Sequence, residues 1–207
     1  MLRFGVMASG GGSNFQAILD RCADGSLQGE CAFLITNNSR CKAVERARAH
    51  GIPVHHISGL THPDPKAYTH AMLEVARQSG ARVLALAGYM KKVPTALLDY
   101  FEGQVLNVHP ALLPAFGGEG LYGERVHEAV LASGVRLSGP TIHFVDPVYD
   151  HGRIIAQRAV PVYSDDTVAS LSARVLEQEH DLYWRVLQAL EEGKIALQNG
   201  RVYGDVP

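Results

Sequence analysis

Through its first hundred residues the chain alternates short apolar runs with stretches of helical periodicity, and that alternation constrains the fold more than any other feature. Residues 4–7 read as a buried strand, Ala8-Ser9-Gly10-Gly11-Gly12 as a loop and 13–22 as a helix. The pattern repeats as strand 31–36, helix 43–50, strand 54–57, helix 65–79 and strand 83–87. Apolar strands separated by helices imply parallel βαβ units with right-handed crossovers. Pro94 suits the first position of a helix to Tyr100, where its missing N–H costs nothing, and residues 105–108 supply the next strand.

Beyond residue 140 the pattern changes. Strands 141–145 and 154–162 are joined by residues 146–153 alone, too few for a helical crossover, so an antiparallel addition is expected. Residues 167–192 carry Val168, Leu171, Val175, Leu182, Val186 and Leu190 at helical spacing; this long helix should pack over the sheet. A small edge hairpin is expected over 195–202, turning at Asn199-Gly200. The chain is 207 residues long and no stretch rich in Pro, Gly and Ser breaks it. The expectation is therefore one α/β domain over 1–207: three layers, a mostly parallel twisted sheet and antiparallel C-terminal strands.

Composition narrows the partners. With 46% hydrophobic residues the chain can bury roughly 70% of its unfolded surface. A net charge of -2 with mixed signs leaves no basic footprint for nucleic acid and no polybasic membrane patch. A small-molecule partner is expected, bound by a monomer or homodimer. The longest apolar run, 83–87, is far too short to span a bilayer, and Met1-Leu2-Arg3-Phe4 runs directly into a strand rather than a signal peptide. Cys22, Cys31 and Cys41 are odd in number and lack metal-ligand spacing, which reads as free thiols in the cytoplasm and no metal.

The stretch Leu106-Asn107-Val108-His109-Pro110-Ala111-Leu112-Leu113-Pro114 sets two polar side chains at i and i+2 at the end of an apolar run. On a strand they share a face, at the carboxyl edge where open α/β sheets bind ligands. An amide that can donate a hydrogen bond beside an imidazole that can carry a proton is what a carbonyl needs while it becomes a tetrahedral oxyanion. The bland alternative is a turn-capping Asn and a core His.

Ser9-Gly10-Gly11-Gly12-Ser13-Asn14 lets backbone N–H groups approach an anion at a helix N-terminus, which suits a phosphate. It is not a P-loop, because no Gly-Lys-Ser/Thr follows. It also fails as a dinucleotide fingerprint: Phe15 stands at the third glycine, and the second strand ends in Asn37-Asn38 without an acidic ribose ligand. Asp146 and Asp150 compete as the carboxylate that would orient His109 and favour its charged form. Glu179-His180 reads as a solvated helix face, and the other histidines, including His55, His56 and His62, read as surface residues. Lys91-Lys92 is a short basic step that could meet an anionic tail or face water.

Three segments coincide: the Gly10-to-Asn14 loop, Asn107-Val108-His109-Pro110-x-Leu112-Leu113-Pro114, and Asp150-x-Gly152 after His143-Phe144-Val145-Asp146. Together they resemble the phosphoribosylglycinamide formyltransferases, folate-dependent enzymes of purine synthesis, over essentially the whole chain. The resemblance implies a Rossmann-like formyltransferase fold and transfer of a formyl group from 10-formyltetrahydrofolate, as cosubstrate, to glycinamide ribonucleotide. It implies that Gly12, Ser13 and Asn14 bind the ribonucleotide phosphate and that Glu179 contacts its ribose. Met90, Lys91, Lys92 and Val93 would lie along the folate. Asn107 would hydrogen-bond the formyl oxygen, His109 would donate the proton, and Asp150, which the family pattern matches in preference to Asp146, would raise the His109 pKa. The chain departs from the commonest family pattern in a longer loop after Pro114 (115–125), and in Pro65 and Lys91 where some members carry Arg.

Overall fold

Four parallel strands organise the first half of the chain: β1 (Leu2–Met7), β2 (Gly29–Thr36), β3 (Val54–His56) and β4 (Val83–Leu86). The computed structural model describes residues 1–198 and 200–206, and it divides into two units, Met1–Leu106 and Asn107–Pro207. In the first unit the strand order is β3-β2-β1-β4. Phe4 lies opposite Cys31 and Val83, Met7 opposite Ile35 and Leu86, and Leu34 opposite Val54. Nearly every residue of β1 and all of β4 is buried, as strands covered on both faces require. Phe4, Phe33, Leu34, Ile35 and Leu84 are fully buried with Phe15, Ile18 and Met72 from the helices; each contributes about 1.5–3 kcal/mol by leaving water.

The helices of this unit are α1 (Ser13–Ala23), α2 (Lys42–Ala49), α3 (Pro65–Ser79) and α4 (Thr95–Tyr100). Helix α3 starts as its sequence dictates: the Asp64 carboxylate accepts from the Ala67 N–H at 2.8 Å and Pro65 takes the first position. Helix α1 starts differently, at a left-handed Gly12 with no side-chain cap.

Strand β5 (Val105–His109) begins in the first unit and ends in the second. The second unit continues with α5 (Glu124–Ser133), β6 (Leu137–Ser138), β7 (Thr141–Phe144), β8 (Ile154–Gln157), β9 (Val160–Pro161), α6 (Val168–Glu191), β10 (Ala196–Gln198) and β11 (Arg201–Tyr203). Its strands run β5-β7-β8, with β7 and β8 antiparallel. The expected α/β class, parallel strands first and antiparallel strands toward the C-terminus, is the one the chain forms. The C-terminal hairpin pairs Ala196 with Tyr203 and Gln198 with Arg201; Asn199, assigned to its turn, lies outside the described residues.

Three features differ from expectation, the first being the short strand β6, which the sequence pattern does not suggest. The single strand expected over 154–162 is split: β8 pairs with β7, whereas β9 pairs with β6. Pro161 has no N–H for a ladder, which keeps β9 short. Helix α5 was not anticipated, because the glycines before it mask its start and only Val126 and Val130 mark its apolar side. Those two valines join Ala111, Val160, Val162, Leu171 and Val175 in a buried cluster. Helix α6 is capped by Thr167, whose hydroxyl accepts from the Ser170 N–H while the Ser170 hydroxyl accepts from the Thr167 N–H.

Candidate active site

Strand β5 delivers Asn107 and His109 one step apart on its last turn of pleat, and the residues that follow are clasped. The buried Thr141 hydroxyl donates to the Ala111 carbonyl at 2.6 Å and accepts from the Leu113 N–H at 3.0 Å; Gln157 Nε2 donates to the Leu113 carbonyl at 2.9 Å. The chain after His109 is thus tied to β7 and β8.

His143, two residues beyond Thr141 on β7, sits beside Asn107. Its Nδ1–H donates to the Phe144 carbonyl at 2.8 Å, and its Nε2 lies 3.2 Å from Asn107 Nδ2, accepting an N–H from that amide when the ring is neutral. This contact orients the Asn107 amide and leaves its second N–H for another acceptor.

Asp150 completes the group. Its Oδ2 lies 3.4 Å from His109 Nδ1 and its Oδ1 3.7 Å from His143 Nε2, while the Gly118 N–H donates to Oδ2 at 3.0 Å. The 3.7 Å approach is electrostatic rather than a hydrogen bond. Gly152 makes the turn possible: a Cβ there would fall 1.8 Å from the Phe144 carbonyl oxygen. Asp146 does something else, pairing with His151 at 2.9 Å and accepting from the Val148 N–H. Of the two acids that spacing left open, Asp150 is the one beside His109.

Burial works against charge at both partners. It pushes the His109 pKa down; the Asp150 carboxylate and the Phe116 carbonyl, which accepts from Nε2 at 2.8 Å, push it up, His143 pushes it down, and the net position is below the ordinary range. Burial pushes the Asp150 carboxyl up, but His143, His109 and the Gly118 amide outweigh it and leave the pKa below the ordinary range. Asp150 therefore stays ionised, and its influence on His109 is upward although burial dominates that ring.

The other residues singled out by sequence fall into two sets, one per unit. In the first, Gly12 and Asn14 are buried, Ser13 is half-buried, and the first turn of α1 carries no acidic residue. Arg46 braces this loop: Nε donates to the Gly11 carbonyl at 2.9 Å and Nη1 to Gln16 Oε1 at 3.0 Å. The Ser9 hydroxyl donates to Asn37 Oδ1 at 2.5 Å and accepts from the Met90 N–H at 2.9 Å, which ties the loop to the segment after β4. In that segment Val93 is buried while Met90, Lys91 and Lys92 are exposed. In the second unit Glu179 is only 7% exposed on α6, which corrects its reading as a solvated face.

The histidine reading also needs correction. His127 and His143 are buried, 3% and 2% exposed, where surface positions were expected. For His143 the available signal was its i, i+2 spacing from Thr141 on a strand. Nothing in the sequence announces the Phe116 carbonyl or the Gly118 amide. Among the described residues no group of three or more His, Cys, Asp or Glu is placed to hold a metal ion.

The family model described as formyl transferase matches residues 2–187. The chloroplastic phosphoribosylglycinamide formyltransferase of Vigna unguiculata is 48% identical over 194 residues, 93% of this chain. The chain spans 62% of that relative's length. The phosphoribosylglycinamide formyltransferase of Bacillus subtilis (strain 168) is 35% identical over 190 residues, 92% of this chain and 95% of the relative. The crystal structure of glycinamide ribonucleotide transformylase 1 from Symbiobacterium toebii matches with a TM-score of 0.91 and 38% identity, covering 99% of this chain and 95% of that one.

Proposed function

The chain belongs to the formyl transferase family, and from that premise we propose that it transfers the formyl group of 10-formyltetrahydrofolate to the amine of glycinamide ribonucleotide. The observation that carries the reading is the buried group of Asn107, His109, His143 and Asp150 at one strand end. The relatives' names supply the substrate, and the charge of -2 agrees with small-molecule partners rather than a nucleic acid. The free thiols Cys22, Cys31 and Cys41 support a reducing compartment, the cytoplasm in this proposal.

In the proposed mechanism the amine attacks the formyl carbon directly, with no covalent enzyme intermediate. Asn107 uses the N–H not engaged by His143 to stabilise the oxyanion; losing such a donor typically costs roughly 100- to 1,000-fold. His109 gives a proton to the departing folate nitrogen and recovers one from the amine, so the enzyme ends the cycle in its starting state. Asp150, held ionised, favours the protonated ring. Gly12, Ser13 and Asn14 take the phosphate through amides at the uncapped start of α1, and Glu179 takes the ribose. Met90, Lys91, Lys92 and Val93 carry the folate.

The test is to incubate the protein with 10-formyltetrahydrofolate and follow deformylation by absorbance, with and without glycinamide ribonucleotide. Turnover that depends on the ribonucleotide is expected. Turnover that ignores it would make the protein a hydrolase, and none at all would leave a binding module; either outcome rejects the transferase.

A further inference from the structure

The run after Pro114 is the part of the chain that neither the family pattern nor the proposed mechanism accounts for. We propose that the backbone of residues 116–118 is the positioning element for the His109–Asp150 pair, the Phe116 carbonyl holding the ring by Nε2 and the Gly118 amide holding the carboxylate. The inference rests on the reading of His109 as the group that moves the proton.

Three observations carry it. The two contacts, 2.8 Å from His109 Nε2 to the Phe116 oxygen and 3.0 Å from the Gly118 N–H to Asp150 Oδ2, come from one short stretch and address both partners. Phe116 and Asp150 both adopt left-handed backbone, φ 57° and 54°, a conformation that costs a non-glycine residue free energy and persists where the surroundings over-determine it. The stretch is also anchored: Phe116 and Leu121 pack against the cluster of Ala111, Val126, Val130 and Leu171, and the Arg125 guanidinium lies 5.1 Å from the Tyr122 ring.

The chemistry of the two acceptors then says what the clasp does. A carbonyl and an ionised carboxylate can each only accept, so the Phe116 oxygen at Nε2 and Asp150 Oδ2 at Nδ1 together favour the ring protonated at both nitrogens, the form that has a proton to give. The titratable groups that act on it are Asp150, His143 and, from α5, His127.

The test uses Gly117→Ala and Phe116→Gly in the full chain. A Cβ at 117 would fall 2.5 Å from Leu113 Cδ2 and 3.1 Å from Asp150 Cβ, prising the stretch from the acid, whereas glycine at 116 removes both the ring anchor and the left-handed cost. In each variant kcat should fall about tenfold or more with the KM for both substrates little changed. The alkaline limb of the kcat profile should move to lower pH, because the lost carbonyl favoured the protonated ring. A 15N-histidine NMR titration, with the His109 signals identified by their loss in His109→Asn, should place the His109 pKa lower in both variants than in the unaltered protein. Folded variants with an unchanged His109 pKa overturn the proposal, as do folded variants with unchanged kcat and pH profile. If the pKa falls as expected but no formyl transfer occurs in the unaltered protein, the function fails and the positioning role stands.

Discussion

The two sets of site residues meet opposite physical demands. In the first unit Gly10 and Gly11 are exposed, and the start of α1 carries neither a side-chain cap nor an acidic residue; the phosphate recognition we propose there depends on backbone amides and a helix dipole, which function in the presence of water. In the second unit His109, His143 and Asp150 are nearly all withdrawn from solvent, and each is satisfied by a named partner. Withdrawal strengthens their electrostatic influence on one another and moves their pKa values. An anion can be held by exposed amides, but proton transfer needs groups whose orientation and charge are set in advance.

The comparison breaks first at His109. His109→Ala should lower kcat by about 100- to 10,000-fold and leave the KM for the ribonucleotide nearly unchanged; a loss confined to KM would move the chemistry out of the second unit. Asp150→Asn should cost less, because it keeps the shape and removes the charge. Asp150 raises the His109 pKa, so its removal lowers that pKa. A rate that needs the protonated ring is present below the pKa, and its alkaline limb should therefore shift to lower pH. Steady-state profiles of the two proteins decide it, and coincident limbs reject the role given to the acid. The smallest effect belongs to the first unit. Gly12→Ala places a Cβ at φ 67° and 2.9 Å from Ala43 Cβ, a strain of about 1–2 kcal/mol that should raise the ribonucleotide KM roughly tenfold while kcat holds.

Local period made much of this legible. The four parallel strands of the first unit and their helices follow from runs of Val, Leu, Ile and Phe separated by amphipathic stretches, and the Asn107–x–His109 pair follows from the two-residue repeat of a strand. Helix α5 was hidden by the glycines before it. The rival acids Asp146 and Asp150 were indistinguishable because both stand in one loop. Only the left-handed turn at Asp150 and the close passage of Gly152 past Phe144 bring one of them to the ring.

By itself the sequence determined the fold class, the strand end that carries Asn107 and His109, and the loop suited to an anion, since each depends on residues close together along the chain. The tertiary structure decided which carboxylate attends His109, that His143 orients Asn107, and that the Phe116 carbonyl meets the His109 ring at Nε2. Those contacts join residues 7 to 41 positions apart, and one of them is made by a backbone carbonyl that every residue possesses; no pattern of side chains can announce it.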